Sequence, residues 1–248
     1  MFNIRIDKFL SHSGFGTRKE VKKFLKKGLV KVNNQLVKNP SLKINPEKDI
    51  VYFDDEPVEF KENYYFMFNK PSGYITATYS EDFPTVMDFF YDFPLIDKLF
   101  PVGRLDVDTE GLLILTTDGQ FGHRLAHPKW EVEKEYFAIV KGDISKIELE
   151  KFQNEGILLK DEKESYKTKP FRINVLNSSE DKSEILITVK EGKYHIVKRI
   201  MKELGFPVLY LKRVRIGNLK LDDSLEAGEF RELTDEEILN LKSLVNLI

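Results

Sequence analysis

Residues Gly103–Gly119 read GRLDVDTEGLLILTTDG, and this stretch decides more about the chain than any other. A carboxylate, Asp106, stands two residues after Arg104 in a short extended segment that runs into acidic and turn-forming residues. An apolar run, Leu112-Leu113-Ile114-Leu115, follows and closes on Asp118-Gly119, which reads as a tight turn. Gly103 and Gly111 flank the carboxylate, and glycine lets backbone approach a ligand closely and take φ values other residues avoid. A lone exposed aspartate is ordinarily a solvated surface residue, so the pattern alone leaves a functional and a bland Asp106 side by side.

Two other assignments of the same residues fail. Asp106-Val107-Asp108-Thr109 has the paired aspartates of phosphatases that form an aspartyl phosphate, but those leave the end of a buried apolar strand. Here Pro101-Val102-Gly103-Arg104 precedes them instead. Asp106, Asp108, Glu110 and Gly111 also echo the start of a calcium loop, which needs a bidentate glutamate at its twelfth position. Counting from Asp106 puts Thr117 there.

The stretch resembles motif II of the pseudouridine synthases, in the form G-R-L-D-x-x-T-x-G-L-L with a following T-x-D-G turn that marks the RsuA-like branch. Gly103, Arg104, Leu105, Asp106, Thr109, Gly111, Leu112, Leu113, Thr116 (or Thr117), Asp118 and Gly119 all match. Asn69-Lys70-Pro71-Ser72-Gly73 resembles the N-K-P-x-G of motif I, with Lys70 and Pro71 expected to brace the loop that carries Asp106. Lys134-Glu135-Tyr136, opening a strand, is similar to the K-x-Y motif that holds the family's active-site tyrosine. By itself a strand tyrosine reads as half-buried packing. Gly192-Lys193-Tyr194-His195-Ile196-Val197-Lys198-Arg199 resembles motif III, usually G-R-x-H-Q-V-[KR]-R. Lys193 keeps the charge of the usual arginine without its bidentate fork, and Ile196 removes a side-chain amide, so position 196 receives no polar role.

Composition bounds the rest. A chain of 248 residues holds one large domain or two modest ones. It has no cysteine, which excludes disulfides and thiol chemistry, and its histidines (His12, His123, His127, His195) lack metal-site spacing. No apolar run is long enough to span a bilayer, and the N-terminus lacks a signal-peptide core, so a cytoplasmic protein without a membrane partner is expected. The net charge of −2 hides an asymmetry. Residues 1–46 hold 11 Lys and Arg against two acids, a net of +9, which leaves −11 for the remainder. This suggests a basic module attached to an acidic body, although a basic run is equally a solvated face.

That module reads as helix, helix and hairpin. Thr17-Arg18-Lys19-Glu20 is a capping box. Val21, Phe24 and Leu25 form a buried stripe, with Lys19, Lys22, Lys23, Lys26 and Lys27 on the other sides, and Gly28 ends the helix. Leu29 to Val32 alternate into Asn33-Asn34, and Gln35-Leu36-Val37 returns. The order, with Arg5 to Leu10 before it and Val30 to Asn33 after it, resembles an S4 RNA-binding domain. The family's usual Asn-Gly turn is Asn-Asn here, tolerable because Asn visits the left-handed region. Residues 54–63 are acidic and polar and read as the linker. Further on, Asp82 to Phe90 reads as a turn and short aromatic helix, Glu184 to Lys190 as a strand, Ile196 to Leu204 as a helix, and Thr234 onward as a capped helix burying Ile238, Leu241 and Val245.

The resemblance implies an α+β protein. A small S4 (alpha-L-like) domain over 1–60 precedes a catalytic domain over 61–248 built on a mixed, mainly antiparallel sheet with flanking helices. It implies isomerisation of uridine to pseudouridine in ribosomal RNA by a monomer without metal or cofactor. Tyr65 to Tyr74, Phe83 to Phe90 and Thr109-Glu110 after Asp106 lean toward 16S RNA of the small subunit. The alternatives are the same chemistry on 23S RNA and a non-catalytic ribosome-assembly factor. It also implies that Asp106 attacks C1′ or serves as base at C2′, that Tyr136 stacks on the uracil or takes a proton after C5 attack, and that Lys198 pairs with Asp106. Arg104 would fill the space left by the extruded base, and Arg5, Arg18, Lys19, Lys22, Lys23, Lys26 and Arg199 would contact RNA.

Overall fold

Alternating apolar residues and paired turn residues build the N-terminal unit. A computed structural model describes residues 3–160 and 165–248, which divide into two units, one reaching Tyr64 and including Tyr91–Lys98, the other holding Tyr65–Phe90 and Leu99–Ile248. In the first, the helices Ile6–His12 and Arg18–Lys27 pack on a four-stranded antiparallel sheet in the order Gln35–Leu36, Val30–Val32, Val51–Phe53, Glu56–Pro57. Thr17 caps the second helix reciprocally with Glu20, and Gly28 closes it at φ 78°. Its apolar side joins Ile6, Phe9, Leu10 and Val30 in the core, while the five lysines from Lys19 to Lys27 are exposed. Asn33 and Asn34 both take positive φ (49° and 66°), as a two-residue hairpin turn requires.

The stretch read as a linker is mostly structure. Asp54 and Asp55 also take positive φ and turn a second hairpin, and Phe60 stacks on Phe9 at 5.0 Å. Acidic turn residues and a free linker have the same composition. What separates them is the apolar Val51, Val58 and Phe60 around the turn, all packed on the core.

The second unit is built on one nine-stranded sheet. Its main path runs Arg172–Ser178, Lys182–Val189, Lys134–Lys141, Val208–Ile216, Glu110–Thr116, Tyr65–Lys70, Phe230–Glu232. Phe100–Val102 adds antiparallel to Glu110–Thr116, and Leu219–Lys220 to Val208–Ile216. Every ladder is antiparallel except one, the central pairing of Lys212 with Glu110 and Arg213 with Gly111. One face of the sheet packs Met67, Leu112 and Ile114 against Phe121, Leu125, Leu241 and Val245 from the helices Gly119–Ala126 and Asp235–Leu244. Elsewhere in the unit Phe66, Phe68, Phe90 and Phe230 cluster, with Phe90 stacked on Phe230 at 4.2 Å, which makes the aromatic 3₁₀ turn Val86–Phe90 core.

Asp118-Gly119 is not a hairpin turn. Asp118 caps the Gly119–Ala126 helix, accepting the Phe121 amide at 3.0 Å, and Tyr65 Oη donates to its other oxygen at 2.7 Å. Asp serves both a tight turn and an N-cap, and the buried stripe of Phe121 and Leu125 selects the cap. The hairpin of this region lies earlier, between Phe100–Val102 and Glu110–Thr116, and its loop carries Asp106.

Candidate active site

The Asp106 loop is clamped through its backbone. Lys70, at the end of the Tyr65–Lys70 strand and fully buried, points its ammonium at the carbonyls of Pro71 (2.9 Å), Asp106 (3.1 Å), Val107 (3.4 Å) and Thr109 (2.9 Å). Three N–H donors facing four carbonyls are fully used. Burial pushes the Lys70 pKa down to about 8, against the pull of Asp108, Glu110 and Asp106. Thr76 adds a reciprocal pair with the Leu105 backbone, its hydroxyl donating to the carbonyl at 2.8 Å and accepting the amide at 3.1 Å. Leu105 is buried, and the Thr109 amide donates to the Asp106 carbonyl at 3.1 Å. The brace expected of Lys70 is therefore present, and it holds the loop through its backbone without engaging the Asp106 side chain.

The helix Ile196–Glu203 supplies that side chain's partners. Lys198 lies in the first turn of that helix and His195 is its N-cap residue. His195 Nε2 lies 3.3 Å from Asp106 Oδ1, and Lys198 Nζ lies 3.1 Å from Oδ2. Lys198 also reaches Asp108 at 2.6 Å. Burial works against the Lys198 charge, yet its bonds to Asp108 and Asp106 outweigh burial and raise its pKa. The same Lys198 bond holds the Asp108 carboxyl below its usual range, against burial. His195 takes φ 49°, a left-handed conformation that costs on the order of 1 kcal/mol or more outside glycine and is found where geometry matters. Tyr194, largely exposed, stacks on its ring at 3.6 Å.

Across the cleft, Tyr136 sits opposite Arg213 on neighbouring strands, beside a bulge between Glu135 and Tyr136. The Arg213 guanidinium is 6.0 Å from the Tyr136 ring centre, and its Nε donates to the Leu112 carbonyl at 2.7 Å. Lys134 donates to the Val132 carbonyl at 3.0 Å, and burial with the nearby Arg213 charge pushes its pKa down to about 8. Asp106, Tyr136, Lys198 and Arg104 all line one cleft of about 120 Å³, together with Arg213 and Lys134. Five basic side chains (Arg104, Lys134, Lys193, Lys198, Arg213) face a single carboxylate there. Lys193 leans over the Tyr166 ring at 3.4 Å, and Arg199 is outside the lining. Among the described residues no group of three or more His, Asp or Glu is placed to hold a metal, and no helix is long and apolar enough to cross a membrane.

This arrangement suits one task. Glycoside hydrolysis needs a second carboxyl to protonate the leaving group or activate water. A carboxylate that stands alone in the cleft lining, oriented by Lys198 and His195 and facing a tyrosine, suits attack at an anomeric carbon, or proton removal beside it, with the released base retained. A model of the RNA pseudouridylate synthase family matches residues 64–203. The chain belongs to that family. A model of the S4 domain matches residues 4–51. The chain is 42% identical over 239 residues to the ribosomal small subunit pseudouridine synthase A of Haemophilus influenzae, covering 96% of this chain and 99% of that one. It is 41% identical over 244 residues to an uncharacterized RNA pseudouridine synthase of Aquifex aeolicus, covering 98% of each. A crystal structure of a pseudouridylate synthase, 41% identical, aligns over 96% of this chain and 99% of that chain with a TM-score of 0.65.

In this synthase, sequence reasoning missed His195, Asp108 and Arg213. His195 stands in the motif III resemblance without an assigned role, and Asp108 falls with the phosphatase pattern. Arg213 carried a usable signal: an arginine at an inward strand position two residues from buried Leu211, where charged residues are rarely found unpaired. In the N-terminal unit Arg5 and Arg18 have structural work as well. Arg5 donates to the fully buried Asp7 at 3.1 and 2.9 Å, and Arg18 at 2.9 Å. Against burial, the two guanidiniums hold the Asp7 carboxyl below its usual range. Both arginines remain roughly half exposed, at 42% and 49%.

Proposed function

We propose that this synthase isomerises a uridine of 16S ribosomal RNA, with Asp106 as its catalytic carboxylate. The observation that carries the reading is Asp106 held between His195 and Lys198 in a cleft with no other carboxylate in its lining. The N1–C1′ bond breaks with its electron pair passing to the uracil. The sugar is then held either as an ester of Asp106 at C1′ or, after Asp106 removes the C2′ proton, as the glycal. The base turns and C5 bonds C1′, as the ester bond to Asp106 breaks or as Asp106 returns the proton to C2′, and the C5 proton is lost while N1 gains one. Nothing is oxidised and no group is added, so no cofactor is needed. Tyr136 stacks on the uracil or takes the C5 proton. Lys198 keeps Asp106 oriented, and Arg104, exposed at the cleft edge, fills the place of the extruded base, whose unstacking costs a few kcal/mol.

Capture of the RNA falls to the basic N-terminal unit, through Lys19, Lys22, Lys23 and Lys26 with Arg5 and Arg18, and Arg199 adds charge beside the cleft. The small-subunit name of the Haemophilus influenzae relative supports the 16S target. On this reading the enzyme acts in the cytoplasm as a monomer. Pseudouridine mapping of 16S and 23S RNA from cells with and without this protein tests the reading. One 16S uridine should lose its modification when the protein is removed and stay unmodified when Asp106→Asn is returned. A lost 23S site would move the target to the large subunit, and no lost site would overturn the assignment.

A further inference from the structure

Among the described residues, two buried side-chain atoms have no hydrogen-bond partner, Arg213 Nη2 and Thr109 Oγ1. Both residues line the Asp106 cleft. Buried polar groups are nearly always paired, and an unpaired charged donor is especially costly to leave so. Arg213 is 2% exposed, its Nε is committed to the Leu112 carbonyl, and Tyr136 sits opposite it on the adjacent strand. Lys134, Lys193 and Lys198 in the same lining cannot accept a hydrogen bond, and none of the lining groups that can accept reaches Nη2, which leaves it for a ligand in the cleft.

Resting on the synthase reading of this cleft, we propose that Arg213 binds the uracil itself, donating from Nη2 to a ring carbonyl oxygen. It holds the base while it is detached from the sugar. When the N1–C1′ bond breaks, the electron pair received at N1 spreads onto both carbonyl oxygens, so a cationic donor binds the released base more tightly than the bound nucleoside. Uracil is also nearly symmetric about its N3–C6 axis. The half-turn that brings C5 to the place of N1 exchanges the two carbonyls as well. One fixed guanidinium therefore serves O2 on one side of the turn and O4 on the other, which a reaction that must rotate its base without losing it requires. Thr109 Oγ1, able to donate or accept, is suited to the neighbouring polar edge.

The experiment compares RNA substrates carrying uridine, 2-thiouridine or 4-thiouridine at the target, with wild type, Arg213→Gln and Arg213→Lys. Sulfur accepts hydrogen bonds poorly, and its intrinsic effect on the chemistry cancels in the ratio between enzymes. Removing a hydrogen bond to a charged donor should lower kcat/KM on uridine by about ten- to a hundredfold, mostly in kcat, because the bond strengthens as charge develops. On at least one thio substrate the variants should lose markedly less than on uridine. Equal losses on all three substrates would make Arg213 merely structural and overturn the proposal. If Arg213→Gln does not fold, judged by its thermal transition, Arg213→Lys carries the same comparison. Wild-type conversion of the unmodified RNA, run alongside, separates the two levels, since its absence would refute the synthase reading and its presence leaves the ratios to judge Arg213.

Discussion

Replacing Gly111 with alanine tests the joint on which the site depends. Gly111 has φ 97°, and a Cβ there would lie 2.3 Å from the Arg213 carbonyl oxygen, 2.8 Å from Lys212 Cγ and 2.9 Å from the Arg213 amide. Two of these three contacts are backbone, so no side-chain rotation relieves them. The strands must separate by close to 1 Å, and the parallel ladder that would open consists of only two residue pairs. Left-handed strain in a non-glycine residue costs about 1–3 kcal/mol. One or two lost ladder hydrogen bonds add about 1 kcal/mol each. The sum is about 2–5 kcal/mol, and for a chain of this size each kcal/mol lowers Tm by about 2–4 °C, so a fall of about 10 °C is expected.

Two other glycines serve as controls in the same thermal-unfolding series. Gly103 has φ 72° with nothing within 4 Å of a Cβ, so Gly103→Ala should cost strain alone, about 1–2 kcal/mol. Gly119 opens a helix in equally free space without a positive φ, so Gly119→Ala should be neutral or slightly stabilising. Because Gly111 lies directly opposite Arg213, its alanine variant should also lose turnover under conditions where it is still folded. A Gly111→Ala variant melting within about 3 °C of wild type, or no lower than Gly103→Ala, would refute the reasoning.

Asp106→Asn keeps the side-chain size but removes the nucleophile or base, so turnover should fall below about a hundredth of wild type while RNA affinity holds. Appreciable activity would remove Asp106 from the chemistry. Changing Lys19, Lys22, Lys23 and Lys26 to Gln should weaken RNA binding and flatten the slope of log affinity against log salt by up to about 3, at roughly 0.7 per single-strand phosphate contact. An unchanged slope would make that helix a solvated face. Lys134 has its pKa pushed from 10.5 to about 8, so between those values the unfolded chain holds more protons and rising pH favours the folded state through this group. The Tm of wild type minus that of Lys134→Met should therefore increase from pH 7.5 to 10, and a flat or falling difference would contradict the burial of that ammonium.

Much of this was legible in the chain because local signals agreed with the fold. The capping boxes at Thr17 and Thr234, the left-handed Gly28 and the alternation through Tyr136 each need only neighbours in sequence. The site was legible in part. Asp106 and Lys198 stand out through the motifs they occupy, and the structure brings them to 3.1 Å. What failed were choices between two uses of one residue type. Asp118 was read as a turn because its role as a cap depends on Phe121 and Leu125 being buried by helix Asp235–Leu244, more than a hundred residues away. Asp54-Asp55 was read as linker for the same reason, and Arg213 drew no notice because its partnerless burial exists only once four strands are assembled.

Charge resolves the remaining tension between an acidic body and a phosphate-rich substrate. Residues 47–248 carry a net of −11, which by itself repels RNA, yet the cleft lining reverses the sign with five basic side chains against Asp106. On the proposed function, an acidic body with a basic cleft disfavours non-productive contacts and leaves capture to the N-terminal lysines. The same proposal orders the cations: Arg104 and Lys193, both exposed, would meet the RNA first, and the buried Arg213 would meet only a base that has left its stack. On that proposal an extruded base that gains negative charge on leaving C1′ supplies the buried Arg213 with its missing acceptor as the bond breaks, so the stabilisation is greatest for the detached base and not for the bound uridine.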